Sequence, residues 1–379
     1  MSTDPSDVSL EPKPARLPRL MSIDALRGFD MFWIIGGDRI ARELGKWSGT
    51  AQGKRFAEQF EHVKWEGFRF YDLIFPLFLF LVGVVLPFSL KKYQDGDEPK
   101  RAAYLRVARR VLLLFLLGLI YSNILQFRFD TQRYAGVLQR IAICYGIAAI
   151  IFLLTKVRTQ AILFLAILIG YWAVLMYVPA PESKAGDMTM ETNLAGYLDR
   201  HFLPGKINPG YYGFGDNEGL LSTIPAVATA LLGVLAGQWL ASSRGRWTKA
   251  VGLALAGLIC LGLGILWGRD FPVIKILWTS TFVLVAGGWS LLLLALFYAI
   301  IDVIGLRFWA YFFVVIGVNA ITIYVASGII PFAEISRFLL GGSARLSGSF
   351  GSILLAIGTL LIKWLLLLHL YRNRIFLRV

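Results

Sequence analysis

Apolar residues run along this chain in long blocks, separated by short charged stretches. A helix needs about 20 apolar residues to cross a hydrocarbon core of about 30 Å. Blocks of that length lie near residues 22–40, 70–90, 104–126, 135–155, 159–178, 218–241, 248–268, 278–301, 307–330 and 350–371. A β-barrel would instead show short segments of alternating polarity. The pattern predicts an all-α, polytopic transmembrane helical bundle of about ten spans. It reads as a single domain over 22–379 behind an N-terminal tail at 1–21. Residues 39–69 and 179–217 read as the long outer loops, and 331–349 as including a short interfacial helix. Internal repeats of the inverted-transporter kind are not seen.

The first block breaks the apolar rule. Asp24, Arg27, Asp30 and Asp38 fall within an arc of about 120° when each residue turns the helix by roughly 100°. From Asp24 to Asp38 the axial rise is roughly 21 Å, most of a bilayer core. Ionisable groups at that depth face a bundle interior or a wet cavity and mark a path for substrate, ions or protons. The loop that follows holds His62, one of three histidines.

Composition sharpens the class. The chain is 57% hydrophobic with a mean hydropathy of +0.64, well beyond a soluble domain. A net charge of +14 raises the question of nucleic acid. The basic residues sit between spans, which is the positive-inside pattern and not a phosphate-binding groove. Lys91, Lys92, Lys100, Arg101, Arg106, Arg109 and Arg110 crowd one connection, and Arg372, Arg374 and Arg378 crowd the C-terminus. Segment 179–217 has three basic residues against five acidic ones. This bias places both termini in the cytoplasm. The basic 39–69 segment is the exception. The first twenty residues lack an apolar core before a cleavage site and read as a cytoplasmic tail, not a signal peptide. Cys144 and Cys260 lie inside apolar runs and read as packing.

Candidate chemistry collects at one end of the spans. Imidazole exchanges protons near neutral pH and can be acylated, which singles out His62 between Phe60 and Trp65. Asp38 ends the first span on the same side and is placed to orient an imidazole; bonding to water at a helix end accounts for it too. Asp72 and Glu218 open spans, where helix capping competes with catalysis. Gln139 and Arg140 lie just inside the fourth span, and a buried arginine there wants an acid, Asp72 or Glu218. Asn319, mid-span, reads as an interhelical hydrogen-bond donor. On the inner side Arg106, Arg109 and Arg110, with Arg27 further along the stripe, suit an anionic nucleotide, although topology signalling also explains such clusters. His201 and His369 carry no pattern, no histidine–acid spacing marks a metal site, and no Walker or GxGxxG loop occurs.

These residues sit in motifs that resemble a known family. The motifs, in order, are RLMSIDALRGFDMF, FEHVKWEGFRFYDLIFPLFLFLVG, GVLQRIAICY, DNEGLLSTIPAVATALLGVLAG, FPVIKILWTSTFVLVAGG and VIGVNAITIYV. Together they resemble transmembrane acetyltransferases of the heparan-α-glucosaminide N-acetyltransferase type, over nearly all the chain after residue 18. The resemblance implies transfer of an acetyl group from cytoplasmic acetyl-CoA to the amine of a glucosamine-type sugar across the membrane. It implies His62 as the catalytic histidine, Asp72 and Glu218 as acids of the central pocket, and a homodimer. Asp38 departs from the pattern, falling where the lysosomal enzyme has asparagine beside the acetyl group. The lysosomal enzyme's extra lumenal domain has no counterpart here, so an envelope amino sugar in a bacterial inner membrane is the expected acceptor.

The expected path runs from nucleotide-binding cations, along the polar face of the first helix, to a thioester near Asp38 and His62. Composition alone favours a transporter or flippase for an anionic or sugar-linked substrate. A membrane protein that binds CoA or lipid without turnover is a third reading.

Overall fold

A computed structural model describes residues 20–96, 98–129, 132–181, 183–207 and 213–377. The expected N-terminal tail lies, but for its last two residues, outside these, as do Arg378 and the Pro209–Tyr212 part of the long aromatic connection. The order is α1 (Met21–Phe32), a π-helical turn (Trp33–Gly37), α2 (Asp38–Trp47), α3 (Ala51–Glu58), a 3-10 turn (Phe70–Leu73), α4 (Ile74–Val84), α5 (Leu86–Gln94) and α6 (Lys100–Tyr121). Then come α7 (Val137–Leu154), α8 (Val157–Tyr177), α9 (Leu194–Phe202), α10 (Thr223–Ala241), α11 (Arg246–Trp267) and α12 (Ser280–Tyr298). α13 (Ala310–Gly317), α14 (Ala320–Ile329), α15 (Phe332–Leu346) and α16 (Gly351–Arg372) follow.

The chain is all-helical among the described residues, apart from turns and two isolated bridges. Among the described residues seven helical stretches are long and apolar enough to span a membrane, and the bent pair α13–α14 makes an eighth. This is a multi-pass membrane protein. The other two expected spans are helical too. One is α1, only 12 residues before its π turn, and the other is α6, which begins KRAAYLRVARR. Charge and interruption separate these two from the purely apolar helices.

Local chemistry sets the breaks. Pro87 stands at the start of α5, where its missing N–H falls at the break in the helical ladder after Val85. Thr50, Asn193 and Thr279 cap α3, α9 and α12 by accepting hydrogen bonds from Gly53, Gly196 and Phe282 backbone N–H groups. The α13–α14 pair bends by 67° at Val318–Asn319. Small residues let helices meet closely. A methyl on Gly28 would sit 1.7 Å from the Phe313 carbonyl oxygen, so α1 lies directly on α13.

The expected loop at 39–69 is not a loop for most of its length. It folds into α2 and α3, and residues 48–50 and 59–69 lie outside those helices. The expected interfacial helix is α15, packed on α16, with Phe338 and Leu346 87% and 92% exposed.

Candidate active site

The site is built where three connections meet at one end of the bundle. Gly67, at φ +119°, takes a backbone conformation that side chains disfavour. Its N–H donates to the Val273 carbonyl at 2.8 Å, and Glu66 bridges to Ile274. The strip before α4 is thereby tied to the strip before α12. The tie carries Lys275 to His62, across 213 positions of sequence.

Asp72 sits in the 3-10 turn and is 1% exposed. Its Oδ2 accepts the backbone N–H groups of Arg69 at 3.1 Å and Val63 at 3.3 Å. Its Oδ1 lies 2.8 Å from His62 Nδ1. Capping and side-chain orientation, alternatives from sequence, hold here together. Lys275 Nζ lies 2.9 Å from the same Nδ1 and 3.2 Å from Asp72 Oδ1. Burial lowers the Lys275 ammonium below the usual lysine range, against the opposing pull of Asp72.

One nitrogen thus faces two partners. With its proton on Nδ1, His62 donates to Asp72, and Nε2 carries a lone pair. With its proton on Nε2, Nδ1 accepts from Lys275, and Nε2–H is a donor. In both tautomers Nε2 is the nitrogen left for a ligand. The His62 ring packs on Tyr71, with centroids 4.8 Å apart.

His62 and Lys275 open onto a cavity of about 390 Å³. Phe75, Trp278 and Tyr324 supply aromatic walls, and Asn217 and Glu218 supply polar ones. Such a mixture of apolar surface and few convergent polar groups is typical of ligand sites. Glu218 does not touch His62. It pairs with Arg133, whose Nη2 is also 2.6 Å from Asp216 Oδ1. Asp199, on α9, accepts the backbone N–H groups of Asp216 at 3.1 Å and Leu220 at 2.9 Å and so clamps the segment carrying Glu218. Burial pushes the Asp199 carboxyl up to about 6.

A second cavity, of about 100 Å³, lies deeper in the bundle. Phe78, Ile141 and Ile321 line both. Its polar lining comes from Arg27, Arg110, Asn319 and Thr322; the two arginines are among the residues expected to hold an anionic nucleotide. Asn319 sits at the α13–α14 bend and donates to the Ile375 carbonyl at 3.1 Å. Arg27 lies 3.7 Å from Asp24.

The other expected site residues are placed elsewhere. Asp38 does not orient His62, for the Nδ1 partners are Asp72 and Lys275. Asp38 pairs with Arg42 at 2.6 Å and lines a third cavity. Arg140 is fully buried and bonds to neither acid proposed for it; it donates to Ser222 Oγ at 2.5 Å and to the Gly219 carbonyl at 3.2 Å. It also lies over the Trp278 ring. Gln139 fills the space opposite Gly118 and Gly136. Arg106 lies over Tyr93, and Arg109 is exposed; neither lines these cavities. Asp30 is completely buried, and its carboxylate oxygens have no hydrogen-bond partner among the described residues.

Lys275 and Arg133 were not singled out from sequence. A lysine inside the apolar run FPVIKILWTS was the available signal for the first. Arg133 sits in a connection whose partner acids lie 83 and 85 positions away, and nothing local marks it.

Residues 19–128 match the family model for a domain of unknown function, DUF5009. The chain is 28% identical to human (Homo sapiens) heparan-alpha-glucosaminide N-acetyltransferase over 382 residues, covering 85% of this chain and 55% of the relative. It is 26% identical to the mouse (Mus musculus) protein of the same name over 379 residues, with the same coverage. The chain thus spans about half the length of the curated relatives it matches. The resemblance read from the motifs is to proteins of this name, and the matches cover most of the chain.

Proposed function

We propose that this protein is a membrane-embedded N-acetyltransferase. It moves an acetyl group from acetyl-CoA to the amine of a glucosamine-type sugar at the His62 end of the bundle. The observation that carries this reading is the pair of abutting cavities: the outer one presents His62 backed by Asp72 and Lys275, and the inner one presents Arg27 and Arg110. Likeness to an N-acetyltransferase supports the reaction type. The acetyl donor enters from the cytoplasm, its anionic end near Arg27 and Arg110, and the acceptor enters from the periplasmic face of a bacterial inner membrane. The bias of basic residues supports that sidedness.

The chemistry follows from the imidazole. Asp72 holds His62 in the tautomer whose Nε2 accepts a proton from the acceptor ammonium. The freed amine attacks the thioester carbonyl; a C–N bond forms, the C–S bond breaks, the amine's second proton passes to the departing sulfur, and CoA leaves as thiol. In the covalent variant, neutral Nε2 attacks first and expels CoA thiolate, which takes the ammonium proton; the amine then attacks the acetyl-imidazole, the N–acyl bond breaks, and the second amine proton goes to the released Nε2. Asp72 is a positioning residue in both.

The test is release of CoA thiol by purified protein given acetyl-CoA and glucosamine. Wild type is expected to release thiol over many turnovers only when the sugar is present; one equivalent released without sugar marks the covalent variant. His62→Ala is expected to lose at least ~10³-fold in kcat, in line with removing a general base or nucleophile. An unchanged kcat in His62→Ala rules out the assigned role of His62. Sugar movement across vesicles with no thiol release points instead to a transporter.

A further inference from the structure

The third cavity, of about 300 Å³, lies beside the site and is separate from it. Ile34 is a wall of both. Arg39, Arg42 and Lys363 line this cavity, and Asp38 is the only carboxylate among its lining residues. That carboxylate is already taken by Arg42. Lys363 is 9% exposed; it reaches from α16 to donate to the Ile35 carbonyl at 2.8 Å and lies over the Phe332 ring.

The π-helical turn explains why a carbonyl is offered there. Gly36, at φ +145°, interrupts the regular ladder between α1 and α2. Such turns often occur at functional sites. Two further polar atoms on lining residues, Arg42 Nε and Ser327 Oγ, are buried with no hydrogen-bond partner among the described residues. Buried donors without partners are costly, and a bound acceptor would relieve both. Three cations, one committed acid and unpartnered donors make a receptor for an anion with several acceptor oxygens. The cavity rim is apolar: Ile330 lines it, and Ile329 beside it is 61% exposed.

We propose that this cavity binds a phosphate-type anion, the headgroup phosphate of a lipid or a free phosphate, through Arg39, Arg42 and Lys363. The proposal does not depend on acetyl transfer, and its readout is binding, not turnover. A lipid phosphate places its chains along the apolar rim, while free phosphate occupies the cationic floor alone.

The full chain is held in maltoside-detergent micelles, which carry no phosphate, with or without added phosphatidylglycerol, and its thermal unfolding is followed. A parallel arm adds inorganic phosphate to the lipid-free micelles. Binding well above Kd is expected to raise Tm by roughly 2–4 °C. A rise with phosphatidylglycerol alone identifies a lipid headgroup, and a rise in both arms identifies a site open to small anions. In either case Arg39→Gln and Lys363→Met must remove the rise, and Arg345→Gln, on the exposed part of α15, must keep it. Arg39 is exposed, so its variant tests the idea even where Lys363→Met fails to fold. No rise in either arm, or a rise that survives Arg39→Gln, overturns the proposal.

Discussion

Two aspartates stand near the same end of this bundle and do opposite jobs. Asp72 is held by two backbone N–H groups and faces an imidazole and an ammonium. Asp38 faces a guanidinium one helical turn away and lines a cationic cavity. The lesson is about direction. A carboxylate acts on an imidazole only when the backbone around it aims it there. At Asp72 a 3-10 turn does the aiming, with Val63 N–H and Arg69 N–H fixing the second oxygen. At Asp38 the π turn at Trp33–Gly37 rotates the helix, and the side chain meets Arg42 instead.

The strongest way to break this contrast is Asp72→Asn. An amide in that place no longer holds the Nδ1 proton with a full charge and does not stabilise an imidazolium. We expect kcat to fall about 10²–10³-fold, with KM for acetyl-CoA within about 3-fold, since Asp72 does not reach the deeper cavity. Steady-state thiol release checks this. A loss confined to KM would show that Asp72 serves binding and not the imidazole.

Lys275→Met is the next largest. The variant keeps the stem and removes the cation 2.9 Å from Nδ1. Without that cation beside the imidazole, kcat near neutral pH should fall by about 10-fold, with KM for acetyl-CoA within about 3-fold. Full kcat in a folded Lys275→Met protein would reduce Lys275 to a packing residue.

A stability measurement contrasts a third aspartate with these two. Asp199 holds its segment as a buried carboxyl raised to about 6 from an ordinary 3.8. A raised carboxyl contributes stability below its unfolded value, and that contribution is lost as pH rises through the folded one. Unfolding free energy should therefore decline between pH ~4 and ~6, by at most about 3 kcal/mol. Asp199→Asn, which cannot ionise, should flatten that decline. Chemical denaturation in detergent at several pH values reads it.

Much of this was legible in the chain. The apolar blocks announced the helices because every backbone group in lipid must be satisfied within the helix, which forces long uniform runs. Arg27, Arg110 and Asn319 were legible because polar groups at membrane depth need an inward reason, and the structure gathers all three around one cavity. His62 was legible as an imidazole in an aromatic loop and Glu218 as an acid at a span end, and both line the same cavity. What failed was regularity and distance. The wheel that put Asp38 on the stripe of Asp24, Arg27 and Asp30 assumed an unbroken α-helix, and Gly36 breaks it. Lys275 reaches His62 only through the tie between Gly67 and Val273, a contact with no periodic signature. Arg106 and Arg109 carried the same local signal as Arg110; Arg109 turns off the face of Arg110, and Arg106 shares that face about one turn nearer the start of α6.

The smallest expected effect bears hardest on the contrast. Asp38→Asn replaces the carboxylate with the asparagine that the resemblance places at this position. The pair with Arg42 is partly exposed, so its loss should cost no more than about 1 kcal/mol of stability. Because Asp38 lines a cavity other than that of His62, kcat should change by less than about 3-fold. A 100-fold loss with an intact fold would mean that the two cavities act as one during turnover, with the Ile34 wall between them moving. Measured beside Asp72→Asn under the same conditions, the ratio of the two losses tells which aspartate the imidazole depends on.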